Sequence, residues 1–243
     1  MSNKTVLITG AAKHIGTAIT RELHHAGMDI IMHFNTSKTD AKSLAAELNS
    51  LRADSAFIIQ ADLRDSGSHS MLIDEAYTIN HRLDVLINNA SVFYPTPVET
   101  FTAEHWDELI AVNLKAPLFL SRCAAHYLAE TRGCIINLTD IHAGRPLKNY
   151  SIYCISKAGL IMLTKSLARE LGPAVRVNAV SPGAVSWPDN MDKITREEIL
   201  SRTVLKHQGC VEDISTAVRY LIEDAKYTTG QVLIIDGGRT LFQ

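Results

Sequence analysis

Tyr153 and Lys157 stand four residues apart in Tyr153-Cys154-Ile155-Ser156-Lys157. On a helix, positions i and i+4 share one face. An ammonium held beside a phenol favours the phenolate and draws its pKa down from about 10. Such a tyrosine can give or take a proton near neutral pH. The pair alone is a weak signal, because the spacing arises by chance on solvated helices. Asp140 lies thirteen residues upstream, at the end of the apolar run 134–138. Its carboxyl group can relay a proton or, if burial raises its pKa, donate one. Asn88-Asn89-Ala90-Ser91 closes another apolar run, and Asn113 follows in a long helical stretch.

A second set of residues is suited to binding. Thr9-Gly10-Ala11-Ala12-Lys13-His14-Ile15-Gly16 joins the first apolar run to an amphipathic stretch. Glycine permits a tight turn and lets backbone N–H groups approach a pyrophosphate, while the helix start adds its dipole. The spacing is Gly-x5-Gly, not the three-glycine GxGxxG, so taken alone it also describes an ordinary strand-to-helix turn. Sites that take NAD usually carry a carboxylate at the end of the second strand, about 20 residues past the glycines. Here that stretch reads His33-Phe34-Asn35-Thr36-Ser37-Lys38, with no carboxylate before Asp40. Hydroxyls, an amide and a cation suit a 2′-phosphate, which favours NADPH over NADH. Thr36 and Ser37 can equally cap the next helix. Asp62, followed by Leu63, lies just after the third run and is placed either to meet an adenine edge or to form a turn.

The elements that must position these groups are legible. Apolar runs at 5–9, 29–34, 55–60, 83–87, 134–138, 175–180 and 232–235 read as buried parallel strands. Amphipathic stretches at 15–27, 38–53, 66–80, 103–130, 151–171 and 211–223 read as helices. Strict alternation implies an α/β chain: a Rossmann-like, doubly wound, seven-stranded parallel sheet with helices on both faces. Sites in such sheets gather at the carboxyl ends of the strands. No linker, charge block or repeat divides the chain, so 1–243 is expected to form a single domain. The long insert 185–208 is expected to be a substrate lid.

Composition narrows the class. Of 243 residues, 24 are Lys or Arg and 26 are Asp or Glu, a net charge of −2. That balance argues against nucleic-acid binding, which needs a basic stripe. With 46% apolar and 21% charged residues the chain is an ordinary globular one. No apolar run approaches the roughly 18 residues that span a bilayer, and the N-terminus lacks a signal-peptide layout. Cys123, Cys134, Cys154 and Cys210 show no metal-ligand spacing, so no metal site is expected. They read as reduced, mostly buried thiols of a cytoplasmic protein.

Together the TGxxxxxG turn, Asn88-Asn89-Ala90, Asn113, the YxxxK pair and Ser181-Pro182-Gly183 resemble the short-chain dehydrogenase/reductase family, over about residues 4–239. The family normally carries Ser where Asp140 stands. Asp140, the run Asn88-Asn89-Ala90-Ser91-Val92-Phe93-Tyr94-Pro95-Thr96-Pro97, the turn just quoted, and His33 with Ser37 resemble the pteridine reductases within it. His14 departs from that pattern, where Arg is more common; it keeps a donor but carries less charge at neutral pH.

The resemblance implies NADPH-dependent reduction of pterins of the dihydrobiopterin or dihydromonapterin type, extending to folate or dihydrofolate. The cofactor would lie along Gly10, Lys13, His14, Ile15, Gly16, His33, Asn35, Thr36, Ser37, Asp62, Leu63, Asn89, Ala90 and Ser91. Ser181, Pro182, Gly183 and Ser186 would line its nicotinamide and phosphate side. Phe93 would stack on the pterin, with Ser91, His14 and Trp187 completing the pocket. Tyr153 and Asp140 would supply the proton, Lys157 would orient the ribose and bias Tyr153, and Asn113 would connect Lys157 to solvent through water. The stretches 103–130 and 151–171 are apolar on more than one face, and in the family such helices pair between subunits, implying a homotetramer. A reductase of keto compounds, such as 3-oxoacyl groups, and a non-catalytic NADPH sensor are the competing readings.

Overall fold

The structure, a computed structural model, describes residues 4–187 and 192–242. Strands β1 (Thr5–Ile8), β2 (Asp29–Phe34), β3 (Ala56–Gln60), β4 (Val85–Asn88), β5 (Cys134–Leu138), β6 (Arg176–Pro182) and β7 (Val232–Ile235) form one sheet in the order β3-β2-β1-β4-β5-β6-β7. Every neighbouring pair is parallel. The order reverses between β1 and β4, and a doubly wound sheet opens its ligand crevice at such a reversal. Thr9 lies just past β1, and β6 runs two residues beyond its expected end.

Helices α1 (His14–His25), α2 (Lys38–Leu51) and α8 (Val211–Glu223) are joined to the sheet by β–α alternation, as are α3 (Ser68–Asn80), α5 (Ala116–Thr131) and α6 (Ser151–Leu171). Side chains alternate across each strand. Val6 and Ile8 therefore pack with Ile19, Leu23, Val218 and Leu221 on one face, while Leu7 packs with Leu72, Leu120 and Leu160 on the other. Burial on both faces is why the strand runs are continuously apolar.

The expected helix 103–130 is broken. It comprises α4 (Ala103–Ile110), a π-helical turn Ala111–Lys115, and α5. Pro117, in the first turn of α5, has no N–H to give, and the ladder widens just before it, with Ala116 N–H reaching Ala111 O. Single π turns often mark functional places, and this one swings Asn113 into the interior.

The insert 185–208 contains a helix, α7 (Lys193–Ser201), N-capped by Asp192 through Thr195 N–H. Residues 188–191 of the expected lid lie outside the described residues. Only Cys134 and Cys154 are buried; Cys123 is half-buried and Cys210 exposed, fewer buried thiols than expected. Among the described residues no helix is long and apolar enough to cross a membrane, and no His/Cys/Asp/Glu group could hold a metal.

Candidate active site

A cavity of about 990 Å³ opens at the carboxyl ends of the central strands. That volume is at the upper end of the range of about 300–1,000 Å³ for small-molecule sites, enough for a long ligand.

One end is built on the Thr9–Gly16 turn. Gly10 has φ +61°, and a Cβ there would come within 2.9 Å of Ala90 Cα. A Cβ on Gly16 would meet Gly10 O at 2.3 Å. Both positions exclude any side chain. Asn89 holds the turn, its Nδ2 donating to Thr9 O and Gly10 O at 2.9 Å each. Thr9 Oγ1 accepts from the N–H groups of Asn89 and Ala90 at 3.0 Å. The Asn88-Asn89-Ala90 motif thus fastens β4 to the phosphate turn. Lys13, His14 and Ile15 line the cavity with both glycines. His14 sits at φ +48°, a conformation His tolerates better than most residues.

Asn35, Thr36 and Ser37 line the rim beyond β2. Ser37 occupies the N-cap position of α2 but makes no side-chain cap bond, so capping does not claim its hydroxyl. Lys13 Nζ stands 3.4 Å from Asp40, with both side chains largely exposed. Hydroxyls, an amide and a cation around this rim fit the 2′-phosphate of a dinucleotide.

Two expected cofactor contacts are otherwise engaged. His33 is buried, accepting from Gly10 N–H at Nδ1 (3.2 Å) and facing Ala61 O with Nε2 at 3.1 Å. Burial pulls its pKa down to about 4, so the ring is neutral and braces the turn against the β3–α3 loop. Asp62 is forked by Arg64 at 2.6–3.1 Å, and that guanidinium holds its carboxyl below the usual range. Asp62 and Leu63 remain in the cavity wall, joined by Arg64. Arg64 also approaches Glu108 at 3.6 Å, and Tyr94 O–H donates to Glu108 at 2.9 Å. This line of contacts ties the Asp62 end to the loop carrying Phe93.

At the other end Tyr153 O–H donates to Asp140 Oδ2 at 2.8 Å, and His142 N–H donates to Oδ1 at 2.7 Å. Burial and the Asp140 charge push the Tyr153 pKa up, not down. Lys157 does not reach the phenol oxygen. Its Nζ donates to Leu138 O at 2.9 Å and lies 5.7 Å from the Tyr153 ring centroid. Lys157 is 3% exposed, and burial lowers its pKa to about 8 against the opposing pull of Asp140. The expected Lys–Tyr couple is therefore a Tyr–Asp couple with Lys157 behind it, outside the cavity wall.

Asn113 is buried in the π-helical turn with its side chain fully engaged. Its Oδ1 accepts from Val92 N–H (2.8 Å) and Ser91 Oγ–H (3.2 Å), while Nδ2 donates to Val92 O (2.9 Å) and Ser156 Oγ (3.2 Å). Both donor hydrogens and both acceptor sites are used, so the side chain clamps the Ser91–Val92 loop to α6.

Phe93 is 46% exposed and lines the cavity beside Ser91. It stacks on Tyr150 at 4.6 Å and meets Tyr153 edge-on at 4.7 Å. Gly183, Ser186 and Trp187 form the facing wall. Ser181 and Pro182 are buried in β6, and Pro182 lies behind the wall. The wall also includes Arg64, Glu108, His142, Leu147, Ile199 and Arg239, none of them anticipated. Arg239 follows β7, and the strand-end rule applied there would have flagged it. Nothing local marks Ile199.

A family model described as enoyl-(acyl carrier protein) reductase matches residues 10–240. The chain is 34% identical to pteridine reductase 1 of Leishmania tarentolae, over 97% of this chain and 96% of that protein. It is 33% identical to a 3-oxoacyl-(acyl-carrier-protein) reductase of Staphylococcus aureus, covering 97% of each. A blue fluorescent protein from a metagenomic library, solved in complex with NADPH, matches with a TM-score of 0.91 at 31% identity, over 97% of both chains.

Proposed function

The chain belongs to the short-chain dehydrogenase/reductase family of oxidoreductases, and from that premise we propose that it reduces pterins with NADPH. The observation that carries the substrate reading is Asp140, bonded to Tyr153 in the same cavity wall as Phe93. A flat heterocycle can lie on Phe93, with its ring nitrogens toward the Tyr153–Asp140 couple. An ionised carboxylate repels the oxyanion that grows during carbonyl reduction, whereas a protonated one suits a basic ring nitrogen.

Bound NADPH supplies a hydride from nicotinamide C4 to the carbon of a C=N bond. The nitrogen of that bond then needs one proton. Asp140 Oδ2 takes it from Tyr153 O–H, its 2.8 Å neighbour, and passes it to the nitrogen, returning to the carboxylate. The phenolate left behind has the buried Lys157 ammonium 5.7 Å from its ring centroid, and solvent restores the lost proton. Lys157, with a pKa of about 8, is a cation at neutral pH. Asn113 keeps Ser91 and Val92 in place beside this couple. The donors at Asn35, Thr36, Ser37 and Lys13 around the rim support the preference for NADPH over NADH.

A keto substrate is the second reading, favoured by similarity to the 3-oxoacyl reductase. The test is NADPH oxidation with 7,8-dihydrobiopterin, dihydromonapterin and dihydrofolate beside a panel of 3-oxoacyl compounds. Pterin turnover is expected; none, alongside good turnover of keto compounds, overturns the reading.

We propose further that the protein is a cytoplasmic homotetramer. Trp106, Leu118, Ile155 and Met162 leave apolar surface exposed on α4, α5 and α6, where family members pair. A single sedimenting species of monomer mass would count against this.

A further inference from the structure

The cavity carries a cation that the chemistry above does not use. Arg239 lines it together with Asp140, Tyr153 and Trp187 and is itself half-buried. It opens the short 3-10 turn Arg239–Leu241 that follows β7. The neighbouring carboxylate, Asp236, is spent on backbone, accepting from Gly238 N–H at 2.8 Å and Thr240 N–H at 2.7 Å. Arg145, from the loop after β5, donates Nη1 to the Arg239 carbonyl at 3.0 Å and fixes the turn. Among the described residues neither Arg145 nor Arg239 has a carboxylate within ion-pair distance.

The insert brings more positive charge to the same place. Leu205 N–H donates to Gly237 O at 3.1 Å, and a Cβ on Gly238 would lie 2.8 Å from Val204 Cβ. The segment after α7 is therefore docked against the residues just before Arg239. On α7 and at its C-cap, Arg196, Ile199 and Arg202 follow at intervals of three along one side. Ile199 lines the cavity, which orients that side toward it. Arg196 Nε is buried without a hydrogen-bond partner among the described residues. Arg202 is held by Glu198 at 2.7 Å. Burial first, then the nearness of Arg202 and Arg145, holds the Arg239 pKa below its ordinary value against the pull of Asp140 and Asp236. A guanidinium in a cavity wall with no carboxylate at ion-pair distance is a group awaiting an anion.

We propose that Arg239, braced by Arg145 and with Arg202 nearby, is a subsite for an anionic substituent of the substrate, a carboxylate or a phosphate ester. The planar fork of a guanidinium matches either anion in two parallel hydrogen bonds. The ring end of the substrate faces Asp140, so an anion is repelled there and accepted at Arg239. The two charges fix the direction in which the substrate enters. A neutral substrate leaves Arg239 desolvated and unpaired, which is how a site built on hydrogen bonds discriminates. The subsite deepens the pterin reading and, for its first test, rests on it.

The experiment compares kcat/KM for 7,8-dihydroneopterin with that for its 3′-phosphate, and with dihydrofolate as the carboxylate case, in wild type, Arg239→Gln and Arg239→Lys. The readout is the ratio of anionic to neutral substrate within each protein, which partial unfolding does not move. A wild-type ratio of about ten to a hundred is expected, from the strength of a hydrogen bond to a charged group. It should collapse toward one in Arg239→Gln and partly return in Arg239→Lys. Whether phosphate or carboxylate gains more tells which anion the subsite fits. A wild-type ratio near one, unchanged by Arg239→Gln, overturns the subsite while leaving the pterin reading standing. If no pterin is turned over, the pterin reading fails, and the subsite is judged by binding. Inorganic pyrophosphate added to protein saturated with NADP⁺ should then raise the melting temperature of wild type and not of Arg239→Gln. An equal rise in both overturns it.

Discussion

Tyr153 places its phenolic hydrogen on Asp140 Oδ2 at 2.8 Å, while Lys157, one helical turn away, gives its ammonium to Leu138 O. The acid–base unit is therefore a phenol and a carboxyl group sharing one hydrogen bond, with a buried cation behind them. A carboxyl in this place decides which atoms can receive the proton.

Replacing Asp140 by Asn removes both the charge and the proton relay but keeps the shape. Pterin reduction should fall by about 10²- to 10⁴-fold, the usual worth of general acid–base catalysis. The Tyr153 ionisation, followed by absorbance, should move down because the carboxylate that opposes it is gone. An unchanged rate would remove Asp140 from the mechanism. Asp140→Ser should raise turnover of keto compounds.

Lys157 loses its charge as pH passes about 8. A cation facing a transient phenolate helps only while protonated, so kcat should decline above that pH. Lys157→Met should be slow at all pH values and lack that limb. A flat profile from pH 7 to 10 in the wild type would show that the ammonium charge is not used.

His33 is neutral in the fold, with its pKa lowered from 6.5 to about 4 by burial. Between those values the unfolded chain takes up a proton that the folded chain refuses, so stability is lost as pH falls through that window. At about 1.4 kcal/mol per pH decade the whole loss is about 3 kcal/mol. Unfolding free energies from urea titrations at pH 7 to 4 should fall by that amount, and less steeply in His33→Gln. Equal pH slopes in the two proteins would contradict it.

Thr36→Asp puts a carboxylate on the rim that lacks one. Repulsion of a 2′-phosphate should lower kcat/KM for NADPH by more than about tenfold while sparing NADH. Equal losses with both cofactors would place the 2′-phosphate elsewhere.

Much of this was readable in the chain. Seven apolar runs separated by amphipathic stretches dictate a parallel sheet, because only strands covered on both faces are apolar throughout. Once β1 is located, the glycine turn, Asn89, Thr36, Ser37, Tyr153 and Asp140 all fall at strand ends or helix starts on one side of the sheet, and the cavity there collects them. The break at 111–115 was not read, although Pro117 signals it, because helical periodicity alone does not register one extra residue in a turn. The hydrogen-bond partners of Lys157, Asn113 and His33 are not legible in the chain for a common reason. Each is a polar group whose behaviour depends on which backbone atoms it meets when buried, and those atoms lie 19 to 28 residues away in the chain.

Local pattern therefore settles the elements, their order and the reactive groups, since periodicity and turn chemistry act over a few residues. Tertiary contact alone decides the partners: Asp140 and not Lys157 for Tyr153, the Gly10 backbone for His33, and a cavity for Arg239 beside a helix from the insert. Desolvation and hydrogen-bond pairing set these choices, and both are defined only when distant segments have come together.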